Sequence, residues 1–134
     1  MTTILLIEDN PADANMVREA LEEHAVECEL FLLTNGEKAV ELIHLMDLEQ
    51  IPPPDLVILD LNLPMKPGSR VLEEFRASSR CARVPIVVLS SSDSQKDREQ
   101  AARLGASSYY TKPTRLMEFL KLGGIFKQML GSIS

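Results

Sequence analysis

Runs of strand length dominated by apolar residues recur along this chain, and between them apolar residues return at helical spacing. The runs are Thr2–Ile7, Cys28–Leu33, Leu56–Leu59 and Val84–Leu89, followed by the short Tyr109–Thr111. Runs that do not alternate with polar residues suit parallel strands covered on both faces. The first intervening segment predicts a helix from Pro11 to about His24, behind an Asn10 cap, with Met16, Val17, Ala20 and Leu21 on one face. A second follows the Asn35-Gly36 turn and carries Ala39, Val40, Ile43 and Leu45-Met46; Val71, Leu72, Phe75 and Arg76 mark a third. The fourth, about Ser94 to Leu104, is so polar that only Ala101, Ala102 and Leu104 are left for the core, and such a helix is lightly held. The last runs from about Thr114 to Leu130 on Leu116, Phe119, Leu120, Ile125, Phe126 and Met129, and Gly123-Gly124 within it predicts a bend or a close contact. Three consecutive prolines, 52–54, make the approach to the third strand a surface connection. Five strands alternating with five helices imply an α/β fold: a parallel sheet with helices on both faces and right-handed crossovers.

Composition narrows this picture without redirecting it. The 134 residues, 45% hydrophobic and 25% charged, make a single domain over 1–134 that folds without staples, with no linker to an effector domain. With 20 acids against 14 bases the net charge is −6, and the bases are scattered, which excludes a direct nucleic-acid partner. No apolar run approaches the ~20 residues of a membrane helix and no leader precedes the first strand, so a cytoplasmic location is expected and no membrane partner. Cys28 and Cys81 lack metal or redox spacing and read as small hydrophobes; His24 and His44 sit at helix ends without catalytic partners.

The chemistry lies where the strands stop. Strand one ends in Glu8-Asp9, strand three in Asp60, strand four in Ser90 and strand five in Lys112-Pro113. In an open parallel sheet these ends share one edge, the edge where ligands bind. Three carboxylates in one cleft repel one another and raise at least one pKa unless a cation is present. Two cations suggest themselves: the Lys112 ammonium and a divalent metal. Oxygen ligands without His or Cys suit Mg²⁺, held by the side chains of Asp9 and Asp60 and the backbone carbonyl of Asn62, with Glu8 accepting from metal-bound water. Asp60 is then placed to attack a phosphoryl group, Lys112 to neutralise its oxygens and Ser90 to donate to one of them.

Glu8-Asp9, Asp60 within Leu59-Asp60-Leu61-Asn62-Leu63-Pro64, Gly68, Ser90, Gly105-Ala106 and Lys112-Pro113, in this order over nearly the whole chain, resemble the receiver domain of two-component response regulators. The resemblance implies a flavodoxin-like, doubly wound sheet of order 2-1-3-4-5, the order that a receiver protein itself exemplifies. It implies a phosphoacceptor rather than an enzyme, with at most slow self-dephosphorylation, taking a phosphoryl group onto Asp60 from a sensor histidine kinase with Mg²⁺. It also implies a switch through Ser90 and Tyr109 that remodels the helix 4/strand 5/helix 5 face for a downstream protein target or a homodimer. Tyr110 is expected on the opposite face. The long acid-and-proline connection before strand three is similar to single-domain regulators that partner phytochrome-type kinases. Ser90 in place of Thr, and Glu8-Asp9 in place of Asp-Asp, are common variants of the pattern.

Other functions remain to be weighed. A haloacid-dehalogenase-like phosphatase needs a second Asp two residues after its nucleophile, and Asn62 cannot transfer that proton. A flavodoxin needs a hydroxyl-rich phosphate cradle where Glu8-Asp9 stands. A receiver-like module that binds partners without phosphorylation stays open.

Overall fold

A computed structural model of the chain describes residues 1–131; the expected domain end at 134 lies outside the described residues. Five parallel strands, β1 (Thr3–Ile7), β2 (Glu29–Leu33), β3 (Leu56–Leu59), β4 (Ile86–Ser90) and β5 (Ser108–Thr111), form one sheet in the order β2-β1-β3-β4-β5. The helices are α1 (Pro11–Glu23), α2 (Gly36–Asp47), α3 (Gly68–Ala77), α4 (Gln95–Leu104), α5 (Leu116–Leu120) and α6 (Leu122–Gly131). The expected last helix is thus found as two consecutive segments that meet at Lys121.

Strand alternation divides the core into two clusters. Leu5, Ile7, Val57, Leu59, Ile86 and Val88 pack with α2, α3 and Ala101 of α4, whereas Ile4, Leu6, Leu56, Ile58, Val87 and Leu89 pack with α1, Phe119 of α5 and Phe126 of α6. Successive side chains point to opposite faces, so the unbroken apolar sequence of β1, β3 and β4 is what two covered faces require. Edge position makes β2 different: Phe31 is 51% exposed and Leu32 39%.

Two leucines expected on apolar helix faces lie outside. Leu45 falls one residue before Met46, hence about 100° around the helix from the stripe of Ala39, Ile43 and Met46 that fills the core. Leu116 opens α5 and is exposed. Ala102 is also exposed, which leaves Ala101 as the single fully buried residue of α4. Arg76, expected on the inner face of α3, carries its guanidinium to three carbonyls: Nε donates to Gly105 (2.8 Å) and Nη1 to Ala82 (3.0 Å) and Val84 (2.7 Å). It thereby fastens the C-terminal end of α4 to α3.

The Gly123-Gly124 pair serves a close contact, as its sequence suggests. A Cβ on Gly123 would stand 2.0 Å from the Ala20 carbonyl oxygen and 2.6 Å from the His24 ring, whereas one on Gly124 would meet only the His24 ring, at 3.3 Å. His24 Nε2 is also 3.0 Å from the Leu120 carbonyl oxygen, so α1 and the α5–α6 junction are locked together. On an open helix Gly→Ala stabilises by about 1 kcal/mol. At Gly123 we expect the reverse, a loss of about 1–3 kcal/mol from overpacking against backbone, and at Gly124 a much smaller effect because a side chain can yield. Urea unfolding of the two variants measures this, and a Gly123→Ala protein as stable as wild type contradicts it.

Candidate functional site

Backbone hydrogen bonds hold the strand ends level. Glu8 N–H donates to the Leu33 carbonyl (2.9 Å), Asp60 N–H to that of Ile7 (3.0 Å) and Lys112 N–H to that of Ser90 (2.7 Å). The chain then places Glu8, Asp60 and Lys112 one residue beyond β1, β3 and β5. Continuing each strand's alternation by one residue turns all three toward the face that carries α1. Ser90 continues the other face, the one that carries α4 and Tyr109.

The side chains meet accordingly. Lys112 Nζ lies 2.7 Å from Glu8 Oε1, 2.8 Å from Asp13 Oδ2 and 3.0 Å from Asp60 Oδ2. Glu8 and Asp60 are almost fully buried, at 2% and 5% exposure, while Asp9 stands exposed at the rim. Asp60 Oδ1 accepts the Asn62 N–H (3.0 Å), and Glu8 Oε2 accepts that of Asn10 (3.2 Å). The backbone beside Asp60 is crowded: a Cβ on Gly68 would lie 2.4 Å from the Asp60 carbonyl oxygen and 2.5 Å from Leu61 Cα. Only glycine allows α3 to start there, which is why Gly68 accompanies Asp60.

Oxygen atoms of Glu8, Asp9 and Asp60 lie within 4.8 Å of one another. Three carboxylates at that spacing, with no nitrogen or sulfur donor among them, fit a hard divalent cation of the Mg²⁺, Mn²⁺ or Ca²⁺ kind.

Residues 4–122 match the family described as the response regulator receiver domain. The chain belongs to that family. It is 36% identical to response regulator Rcp1 of Synechocystis sp. over 120 residues, which cover 89% of this chain and 82% of Rcp1. Its fold matches the Mn²⁺-bound form of Rcp1 with a TM-score of 0.89 over 100% of this chain and 98% of that one. The phosphorylated cyanobacterial phytochrome response regulator RcpA matches with a TM-score of 0.88 at 31% identity, covering 99% of this chain and 96% of RcpA. A receiver domain from a Pseudomonas aeruginosa sensor histidine kinase, with magnesium in its active-site cleft, matches with a TM-score of 0.76 at 29% identity, covering 97% and 98%. The receiver fold, the two-component assignment and the likeness to phytochrome-associated regulators expected from the sequence are therefore correct, and the metal-bound relatives support divalent-cation binding at the acidic cluster.

Electrostatics in this receiver follow from burial. Desolvation, reinforced by the neighbouring Asp60, pushes the Glu8 carboxyl up to about 7 despite the pull of Lys112. Burial alone would lower the Lys112 pKa, but its hydrogen bonds to Asp13, Glu8 and Asp60 outweigh that and raise it above the ordinary lysine value. The expected carboxylate repulsion is thus present and falls on Glu8.

Ser90 is fully buried, and its hydroxyl oxygen accepts the Ser92 N–H (3.2 Å), so part of its polarity serves the turn. Tyr109 packs with the α4-side cluster and donates its hydroxyl to the Ser92 carbonyl (2.8 Å), whereas Tyr110 packs on the opposite face, as expected. Two residues escaped the sequence reading. Arg98 sits 4.8 Å over the Tyr109 ring and donates to Thr111 Oγ1 at 2.6 Å. Asp13 joins Lys112 from the first turn of α1. Its signal was available: with Asn10 as cap and Pro11 opening the helix, residue 13 falls on the first turn, at the sheet edge where the strands end.

The raised Glu8 pKa has a sign that can be checked. Between pH 4.5 and about 7 the native chain keeps a proton on Glu8 that the unfolded chain has released. Wild type therefore loses stability as pH rises through that window, and Glu8→Gln does not. In metal-free buffer, urea unfolding is expected to favour Glu8→Gln progressively from pH 4.5 to about 7 relative to wild type. A constant difference would mean that Glu8 is ionised in the native cleft throughout.

Proposed function

We propose that this receiver takes a phosphoryl group onto Asp60 from the phosphohistidine of a sensor histidine kinase, with Mg²⁺ as its cation. The observation that carries the reading is the buried Asp60 carboxylate, bonded on one side by the Lys112 ammonium at 3.0 Å and on the other by the Asn62 N–H at 3.0 Å, beside the acids Glu8 and Asp9. An Asp60 oxygen forms the bond to phosphorus while the phosphorus–nitrogen bond breaks and its electron pair returns to the donor imidazole. Lys112 neutralises the phosphoryl oxygens, and Ser90 donates its hydroxyl to one of them. Asp9, Asp60 and the Asn62 carbonyl would hold Mg²⁺, with Glu8 in the outer shell; when bound it neutralises charge on the reacting phosphoryl group.

The same reading gives the switch. The α4 helix is fixed at its C-terminal end by Arg76, while its N-terminal end rests on polar contacts: Ser92 Oγ to Asp97 (2.6 Å), Tyr109 to the Ser92 carbonyl and Arg98 to Thr111. A Ser90 hydroxyl drawn to a phosphoryl oxygen gives up the Ser92 N–H, and the Ser92–Tyr109 contact loosens with it. The α4, β5 and α5 face then rearranges. Leu116 (50% exposed) and Met117 (72%) at the start of α5 supply apolar surface there for a downstream protein or a second copy of the chain. Kinship with RcpA supports a phytochrome-type kinase as donor. Among the described residues no helix is long and apolar enough to cross a membrane, and a cytoplasmic setting agrees with that partner. With Asn62 in place of a second acid, the output of the receiver is contact rather than turnover.

Acetyl phosphate with Mg²⁺ is expected to add one labile phosphoryl group to wild type, seen by intact mass, and none to Asp60→Ala. An unmodified wild type, or equal modification of the variant, would sink the phosphoacceptor reading and leave a phosphorylation-independent module. Size-exclusion with beryllofluoride, a phosphoryl mimic, is expected to shift elution toward a dimer; an unchanged position removes self-association as the output.

A further inference from the structure

The Lys112 ammonium has three N–H donors, and three carboxylate oxygens take them: Glu8 at 2.7 Å, Asp13 at 2.8 Å and Asp60 at 3.0 Å. A phosphoryl oxygen can receive one of these donors only if a carboxylate gives it up. The bond to Asp60 is the longest, and Asp60 is the acid whose oxygens lose charge when one of them bonds to phosphorus. Glu8 and Asp13 are then what remains to hold the ammonium. They come from different elements, the end of β1 and the first turn of α1. Two fixed points determine where a flexible four-carbon stem ends; one does not. Asp13 is itself set by the helix cap, since the Asn10 side-chain oxygen accepts the N–H groups of Ala12 (2.9 Å) and Asp13 (3.2 Å).

We propose that Asp13 is a positioning residue for phosphoryl transfer: holding Lys112 Nζ from α1, it keeps one ammonium N–H directed at the phosphoryl oxygens on Asp60 during and after the transfer. The proposal rests on the phosphoacceptor reading and adds no covalent step to it; no proton passes between Asp13 and Lys112. The plain alternative is that Asp13 is an acid at a helix N-terminus, favourable to the helix dipole and unrelated to the reaction. That role would not depend on Lys112.

Two measurements separate these. In ¹H–¹⁵N spectra of lysine ammonium groups in metal-free protein, wild type is expected to give a Lys112 signal protected from exchange, identified by its absence from Lys112→Met. Asp13→Asn is expected to lose or broaden that signal. With acetyl phosphate and Mg²⁺, Asp13→Asn is expected to modify Asp60 about tenfold more slowly, within the 10²-fold that a ~1 Å misplacement can cost. In the Lys112→Met background it should slow the reaction no further. An equal or faster rate in Asp13→Asn, an unchanged ammonium signal, or the same slowing with Lys112 absent would each overturn the proposal. A wild type that accepts no phosphoryl group would overturn the phosphoacceptor reading and this proposal together. Failure of the proposal alone leaves wild type phosphorylated.

Discussion

One ammonium group lets this sheet edge keep its acids. Glu8 and Asp60 are buried carboxylates less than 5 Å apart, and two unpaired carboxylates in such a place would cost several kcal/mol each. Lys112 is the counter-charge common to both, and Asp13 adds a fourth element to the junction: β1, β3, β5 and α1 all meet at Nζ. A buried ion pair of this kind contributes little net stability, yet removing one partner costs about 3–5 kcal/mol because the others are left uncompensated. The cluster is therefore a poor way to stabilise a fold and a good way to fix an orientation. Its members could be replaced by apolar residues for stability alone, so their presence points to chemistry.

Strand alternation puts the acid–lysine cluster and the Ser90–Tyr109 pair on different sides of the sheet. Glu8, Asp60 and Lys112 extend the face packed on α1, α5 and α6, a rigid layer with Phe119 and Phe126 fully buried and Gly123 seated on the Ala20 carbonyl. Ser90 and Tyr109 extend the face packed on α4, whose core contribution is the single buried alanine, Ala101. The proposed reacting groups thus fall on the well-packed layer and the proposed switch on the lightly packed one. Ser90 links the two layers, because it ends a fully buried strand and also bonds the first turn of the α4 approach.

Much of this was legible beforehand, for identifiable reasons. Runs such as Leu56–Leu59, short, rich in branched side chains and bracketed by Pro54 and Pro64, read as strands covered on both faces, and every catalytic candidate stood one residue past such a run or at its end. The helix stripes were readable where spacing was strict and misleading where apolar residues were adjacent, as with Leu45 beside Met46. Tertiary partners were harder. Arg98 looked like one charge among many on a polar helix, and nothing local marks it as the cap of the Tyr109 ring. Arg76 looked like part of an apolar stripe, because periodicity reports direction and not what a long side chain finds there. Asp13 resembled an ordinary acid at a helix start, although its position also lay at the sheet edge.

Charge at the site determines the order of events. Four carboxylates against one ammonium leave an excess of three negative charges when all are ionised. The protein relieves part of this by holding Glu8 near neutrality, with its pKa at about 7. That is insufficient for an anionic phosphoryl donor, which at an effective dielectric of about 20 and 4 Å meets ~4 kcal/mol of repulsion for each uncompensated charge. A divalent cation held there would remove two of the charges and favour the ionised form of Glu8. Under the phosphoacceptor reading cation binding and donor approach would be linked, because a divalent cation cuts the excess from three negative charges to one and removes most of the repulsion.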